Sequence, residues 1–198
     1  MTPLPHNRDE APSPQKHDAI LGAALELFVE RGFHGTAVPA VAERAGVGAG
    51  TIYRYFENKE ALVNALYQKW KTALASRVLE GFPVDVAPRE QFQTIWRRMS
   101  DFVLEHPRAF AFLELHHHAS YLDAASHAIE NNVVEFATEF VRRAQAAKAL
   151  KAVSPAVLMA VVNGAFIGIV RGSWEGRLEL SRENLAAAEQ CCWDAIRY

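Results

Sequence analysis

The stretch AGVGAGTIYRYF, residues 45–56, joins residue types that seldom share one short segment. Glycine stands at 46, 48 and 50, and each glycine inside a helix costs about 1 kcal/mol relative to alanine. Two tyrosines, an arginine, an isoleucine and a phenylalanine follow at once. A turn between two short helices accounts for both halves. Gly46 permits a tight turn through left-handed backbone angles. Val47 plugs that turn into a small core, and Ile52 and Phe56, four apart, face the same core. Ala49, Gly50, Thr51, Tyr53, Arg54 and Tyr55 remain for the other face. Small residues at the start let the backbone approach a groove closely. The hydroxyls and the guanidinium can reach phosphates or base edges. A Gly-rich turn between two amphipathic helices also occurs in helical proteins that never meet DNA.

The flanking sequence supplies helices on both sides. Ser13-Pro14 is a cap followed by a first helical residue. Ile20, Ala24, Leu27 and Phe28 then recur at helical spacing until Arg31-Gly32 stops the run. Thr36 is placed to cap a second short helix, with Pro39 in its first turn and Val38, Val41, Ala42 and Ala45 as its apolar stripe. A third helix is expected over 48–56. Asn58 caps a long fourth one carrying Leu62, Leu66 and Trp70 on one face. No period-2 strand is found, so the fold class is all-α, and two short helices joined by a glycine turn are the layout of a helix-turn-helix.

Composition bounds the rest. The chain has 198 residues, half of them hydrophobic, and a net charge of −2, so no global basic field announces nucleic acid. Within residues 34–59, Arg44, Arg54 and Lys59 oppose Glu43 and Glu57, a balance of +1 that fits a dimer adding two small contact sets. The two cysteines, Cys191 and Cys192, are adjacent and form no disulfide framework, which points to a reducing compartment. The run MTPLPHNRDEAPSP has no apolar core of a signal peptide, and no uncharged apolar window of about 18 residues is read as a membrane span. The expected location is the cytoplasm.

The run ILGAALELFVERGFHGTAVPAVAERAGVGAGTIYRYFENKEAL, residues 20–62, strongly resembles the DNA-binding domain of the TetR family of transcriptional regulators. AALELFVERGF, then T-x-V-x-x-V-A-x-x-A-G-V, then G-T-I-Y-R-Y-F-x-x-K-x-x-L carry the likeness. The resemblance implies a homodimer on a palindromic operator, with a C-terminal domain that pairs the subunits and binds a small effector. It implies a repressor released by an apolar or aromatic molecule, and no cofactor. It places Thr36 and Pro39 at the DNA-facing start of the second helix and Ala49, Gly50, Thr51, Tyr53 and Tyr55 on the recognition helix, while Lys59 looks like a phosphate clamp. Arg54 joins this set from its chemistry. Gly48 departs from the serine cap frequent in the family. The fourth helix is implied as the mechanical link, since half-sites lie about 34 Å apart and a tilt of the readers weakens binding. The expected organisation is a flexible arm at 1–14, the DNA-binding domain at 15–64 and a ligand-binding and dimerisation domain at 65–198.

The second domain offers two patterns. Ala156, Ala160, Gly164, Gly168, Gly172 and Gly176 fall at four-residue intervals after the cap Ser154-Pro155, a ridge suited to close helix packing. Arg171 and Glu175 argue against a membrane helix. The resemblance assigns this helix and the last one to the dimer, through Ala160, Gly164, Gly168, Gly172, Leu185, Ala188, Cys192 and Ile196. Packing within one chain is the alternative. The second pattern is His116, His117, His118 and His127 among aromatics. Glu114 with His117 or His118 has metal-ligand spacing, but a partly apolar pocket with one polar anchor is the preferred reading and no metal is assigned. Residues able to line such a pocket are Trp96, Met99, Phe102, Phe110, Leu113, His117, Tyr121, Phe136, Phe140, Phe166 and Trp174. There is no G-x-S-x-G elbow, phosphate loop or zinc spacing, so no enzyme is expected. The competing reading is a metal- or ligand-sensing helical protein that acts through protein partners instead of DNA.

Overall fold

The structure is a computed structural model that describes residues 13–115 and 120–198. Among the described residues it holds nine α-helices and no named strand, with one isolated antiparallel bridge between Leu150 and Arg197. The chain divides into two compact units, Met1–Leu66 and Tyr67–Tyr198.

The first unit contains α1 (Pro14–Gly35), α2 (Val38–Arg44), α3 (Ala49–Tyr55) and the start of α4 (Lys59–Leu79). Its core is the apolar stripe of α1, Ile20, Leu21, Ala24, Leu27 and Phe28, closed by Val41, Ala42, Ile52, Phe56 and Leu62. Ile52 is the one buried residue of α3, and Phe56 buries immediately after it. Gly46 takes φ 67°, the left-handed turn between α2 and α3. Asn58 caps α4, its Oδ1 accepting from the Ala61 amide at 2.7 Å. Gly32, at φ 69° and ψ 177°, breaks α1, and one further turn continues to Gly35. Thr36 does not cap α2: Ala37 holds that position without a side-chain bond. The Thr36 side chain is instead buried under the break, its Oγ1 within 2.8 Å of Gly32 O and 3.0 Å of Leu27 O. Carbonyls freed by the break needed a donor from inside more than the α2 amides needed an acceptor.

The second unit contains the remainder of α4, then α5 (Pro88–Glu105), α6 (Pro107–Leu115), α7 (Ala124–Ala146), α8 (Pro155–Trp174) and α9 (Arg182–Ile196). Asp123, Ser154 and Ser181 each cap a helix, accepting from the amides of Ser126, Val157 and Asn184. The core is a row of rings. Trp193, Phe92, Trp96, Phe166 and Phe110 follow one another at centroid spacings of 5.4, 6.0, 5.0 and 5.4 Å. Trp96 is anchored by Nε1 donating to Leu185 O at 2.7 Å. Arg89 on α5 grips Glu189 on α9 through both guanidinium nitrogens, and its plane lies over the Trp193 ring at 5.1 Å.

One sequence expectation is corrected here. The uncharged run from Ala152 to Val170 makes α8 long and apolar enough to cross a membrane by composition, because its one cation, Arg171, falls in the last turn. Its apolar window has a mean hydropathy of 1.6, yet only 22% of it is buried in the protomer.

Phe166 is fully buried between Trp96 and Phe110. Phe166→Ala is expected to cost about 3–5 kcal/mol, read as a lower urea midpoint with an unchanged slope.

Candidate nucleic-acid interface and ligand site

The nine positions assigned to DNA separate into two groups. Pro39, Ala49, Gly50, Tyr53 and Arg54 are exposed, and Thr51 is half-buried at the start of α3. They lie on the helix-turn-helix formed by α2, Gly46 and α3. A Cβ built on Gly50 would meet nothing within 4 Å, so this part of α3 presents bare backbone. Gly48 serves as the α3 N-cap with no side-chain bond.

The other three positions face inward. Thr36 is buried, as described above. The Tyr55 hydroxyl accepts from the Ser13 amide at 2.6 Å and lies 3.2 Å from Ser13 O, while its ring packs near His17. It fastens the start of α1 to the end of α3. The Lys59 ammonium donates to Phe33 O at 2.8 Å and Thr36 O at 3.1 Å and sits over the Phe33 ring. Positive charge near the reader is further reduced at Arg44, whose guanidinium pairs with Glu26 at 2.7 Å and lies 3.8 Å from Glu30.

The pocket residues suggested by the sequence are distributed unevenly. Trp96, Phe102, Phe110, Leu113, Phe140 and Phe166 are buried, and several pack directly on one another. Met99, Tyr121 and Phe136 are half-buried, and burial pushes the Tyr121 phenol up from its ordinary pKa. Trp174 is exposed, and His117 lies outside the described residues with its neighbours His116 and His118. Of this set, Phe136 alone lines a depression of about 380 Å³ on α7, together with Glu135, Thr138, Glu139 and Arg142.

The structure assembles a polar seam that the sequence reading missed. Tyr67, Gln68 and Lys71 on α4 face acceptors on α6 and α7 and at the α7 N-cap. The Tyr67 hydroxyl donates to Glu130. Gln68 Nε2 lies 3.1–3.3 Å from Ser126 Oγ and Asp123. Lys71, buried to 8% exposure, donates to Glu114 at 3.2 Å and stands 3.9 Å from Glu130. Burial first, then the bond to Glu130, pushes the Tyr67 phenol far above its ordinary value. The Ser126 amide holds the Asp123 carboxyl below its own. The available signal was the spacing 67, 68, 71, three donors on one face of a helix read only for its apolar stripe. On α5, the buried Ser100 hydroxyl has no hydrogen-bond partner among the described residues.

The residues assigned to pairing also separate. Leu185, Cys192 and Ile196 are buried in the protomer's own core, and burial raises the Cys192 thiol pKa. Gly172 is likewise internal: a Cβ there would meet Leu178 Cδ2 at 3.1 Å. Ala188 is half-buried. Ala160, Gly164 and Gly168 are exposed, and a Cβ at either glycine would meet nothing within 4 Å. Val157, Val161 and Trp174 continue the exposed surface of the same helix.

Comparison with known proteins agrees with this division. Residues 20–66 match the family described as bacterial regulatory proteins, tetR family, and residues 67–198 match the tetracyclin repressor-like C-terminal domain. A fatty acid metabolism regulator protein of Bacillus subtilis is 32% identical over 80 residues, 40% of this chain and 41% of that one. The HTH-type transcriptional regulator RutR of Escherichia coli is 38% identical over 95 residues, 48% of this chain and 44% of that one. The chain thus spans less than half the length of these curated relatives. A crystal structure of a TetR family transcription regulator from Marinobacter aquaeolei superposes with a TM-score of 0.80 at 23% identity, over 92% of this chain and 96% of that one.

The raised phenol pKa gives the seam a pH signature. Below pH 10 the phenol is neutral in both folded and unfolded chains, and its bond to Glu130 is fully present. Above about pH 10 only the unfolded chain ionises Tyr67, so stability falls as pH rises. Tyr67→Phe should flatten that alkaline loss in urea unfolding at pH 9–11; an unchanged slope would place the loss elsewhere.

Proposed function

The chain belongs to the TetR family of bacterial transcription regulators, and from that premise we propose that it represses transcription by binding a palindromic operator as a homodimer. The observation that carries this reading is the outward surface of the helix-turn-helix. Pro39, Ala49, Gly50, Tyr53 and Arg54 are exposed there, around backbone that a groove can approach. Selection of bound fragments from genomic DNA tests it, with recovery of one short palindrome expected and no enrichment over random DNA counting against it. Gly50→Leu supports the fold, since nothing stands within 4 Å of the new Cβ, but blocks close approach. It should keep or slightly raise the urea midpoint, as leucine is the better helix former. It should weaken operator binding by about 100-fold or more, the cost of two or more lost base contacts.

Residues 34–59 carry only three Lys or Arg side chains, Arg44, Arg54 and Lys59, and Arg44 is already paired with Glu26 at the surface. Each neutralised phosphate adds about −0.9 to the slope of log K against log salt. With roughly two contacts per protomer, the dimer should show a slope no steeper than about −4.

Pairing is assigned to the exposed small-residue face of α8. A helix of hydropathy 1.6 left largely uncovered needs an apolar neighbour, and Ala160, Gly164 and Gly168 allow a second copy to approach closely. The match of residues 67–198 to the tetracyclin repressor-like C-terminal domain supports a protein mate over a bilayer. Because a Cβ at Gly164 or Gly168 would meet nothing within 4 Å in the protomer, Gly168→Leu should leave the protomer folded while converting the dimer to monomer in light scattering. Retention of the dimer would move the interface elsewhere.

The effector is assigned to the second unit, as a small molecule with an apolar or aromatic body. The half-buried Met99, Tyr121 and Phe136 and the polar seam from Tyr67 to Glu130 support that site. The names of the curated relatives, whose matched segments are shorter than half of each chain, do not carry their effectors to this one.

A further inference from the structure

The uncovered face of α8 carries one residue that its apolar character does not explain. From Pro155 to Val170, Asn163 has the only side chain with a strong hydrogen-bonding group. Asn163 is exposed, and its amide has no hydrogen-bond partner among the described residues. Asparagine competes with the helix backbone and is a poorer helix former than alanine. Its place near the middle of a 20-residue apolar helix therefore needs a reason outside the protomer.

The neighbouring residues supply one. Ala160, Gly164 and Gly168 are exposed in a row, with Ala160 and Gly168 four residues to either side of Gly164. Such a row has the same small-residue profile from either end of the helix. Two identical faces related by a twofold must fit themselves, and where their helices cross, residues meet their own counterparts. Spacing by four favours a steep crossing, which brings only the central turns together. With the crossing at Gly164, Asn163 lies about 1.5 Å further along the helix. Val157 and Val161, 50% and 45% exposed, surround it with apolar surface. A carboxamide carries donors and an acceptor together, so a second carboxamide is a complete partner for it. No charge between Ala152 and Val170 makes two copies repel.

We propose that Asn163 fixes the register of the dimer, its amide pairing with that of Asn163 of the partner subunit where the two α8 helices cross. This rests on the pairing reading above and adds that one polar pair selects the arrangement. Small apolar faces slide past one another at little cost. A buried amide does not: a shifted register, or a mate without the amide, leaves it unpaired and weakens association by about tenfold or more. A single register matters because two readers meet half-sites about 34 Å apart from only one arrangement.

The test uses the full-length chain. Sedimentation over a dilution series gives the dissociation constant of pairing. Spin labels at Tyr198→Cys, a position 82% exposed, in a Cys191→Ser background give the distance between copies, with Cys192 buried from the reagent. The face with Asn163 intact is expected to give one narrow distance. Asn163→Leu removes both amides and is expected to pair as tightly or more tightly, but with a broadened or doubled distance distribution. Asn163→Asp sets two carboxylates at the crossing and is expected to weaken pairing by about tenfold or more at pH 7. Because Asn163 is exposed and unpartnered in the protomer, both variants keep the protomer's own contacts. A single unchanged distance in Asn163→Leu overturns the proposal, and so does unaltered pairing of Asn163→Asp. With Gly168→Leu monomeric, those results remove only the role of Asn163. A dimeric Gly168→Leu removes the pairing reading, and this proposal with it.

Discussion

A helix that ends inside a folded unit leaves carbonyl oxygens that must find donors, and the break at Gly32 creates that demand at the point where α1 hands over to α2. The donors come from far apart in the chain. Thr36 turns inward to supply one, and Lys59 reaches back from the next long helix to supply two. Tyr55 performs a similar task at the other end of α1, holding the main chain of Ser13. Three side chains that look like outward-reaching chemistry are therefore fastenings of a unit whose described part is only 54 residues long, Ser13 to Leu66. A unit of that size has little apolar area with which to fix its elements, so polar ties between backbone and side chain carry a larger share of the specification.

The second unit solves the opposite problem. Its aromatic row from Trp193 to Phe110 supplies ample burial, and among the described residues the polar groups inside it are few and, apart from the Ser100 hydroxyl, paired: Trp96 to Leu185 O, Gln91 to Pro83 O and Val84 O, Glu189 to Arg89. The seam along α4 is different in kind. Lys71 lies between two carboxylates, Glu114 and Glu130, and such an arrangement contributes less to stability than to a definite geometry, since desolvation offsets much of the attraction. A helix held by ionic and hydrogen-bonded contacts has preferred positions that a polar ligand can compete for. A helix held by interdigitated rings does not.

The all-α class, the glycine turn at 46, the caps at Asn58 and Ser154 and the burial of Ile52 and Phe56 were all legible in the sequence. Each depends on spacing within one or two helical turns, the range over which residue order and geometry are tied. What stayed hidden depends on partners distant in sequence. Nothing near residue 59 announces that its ammonium is consumed by carbonyls at 33 and 36, and nothing near 67–71 announces carboxylates at 114 and 130. The same limit explains the last helix. Leu185, Cys192 and Ile196 form a clean apolar stripe, but a stripe does not say whether it meets its own chain or another, and in this protomer it meets its own. For α8 the decisive contact is close in sequence but lies past the helix end, where helical spacing no longer applies: Gly172 is filled by Leu178 while Gly164 and Gly168 face open space.

That open face on α8 has a consequence for dosage. Under the pairing proposed above, a protomer with a largely uncovered apolar helix gains part of its stability from its mate, so the DNA-competent population rises with the protein's own concentration. Well below the dissociation constant for pairing, dimer abundance follows the square of copy number. Small differences in expression then become large differences in the amount of regulator able to span two half-sites. In a cell holding few copies, pairing through α8 would then enter directly into how sharply the proposed target genes respond.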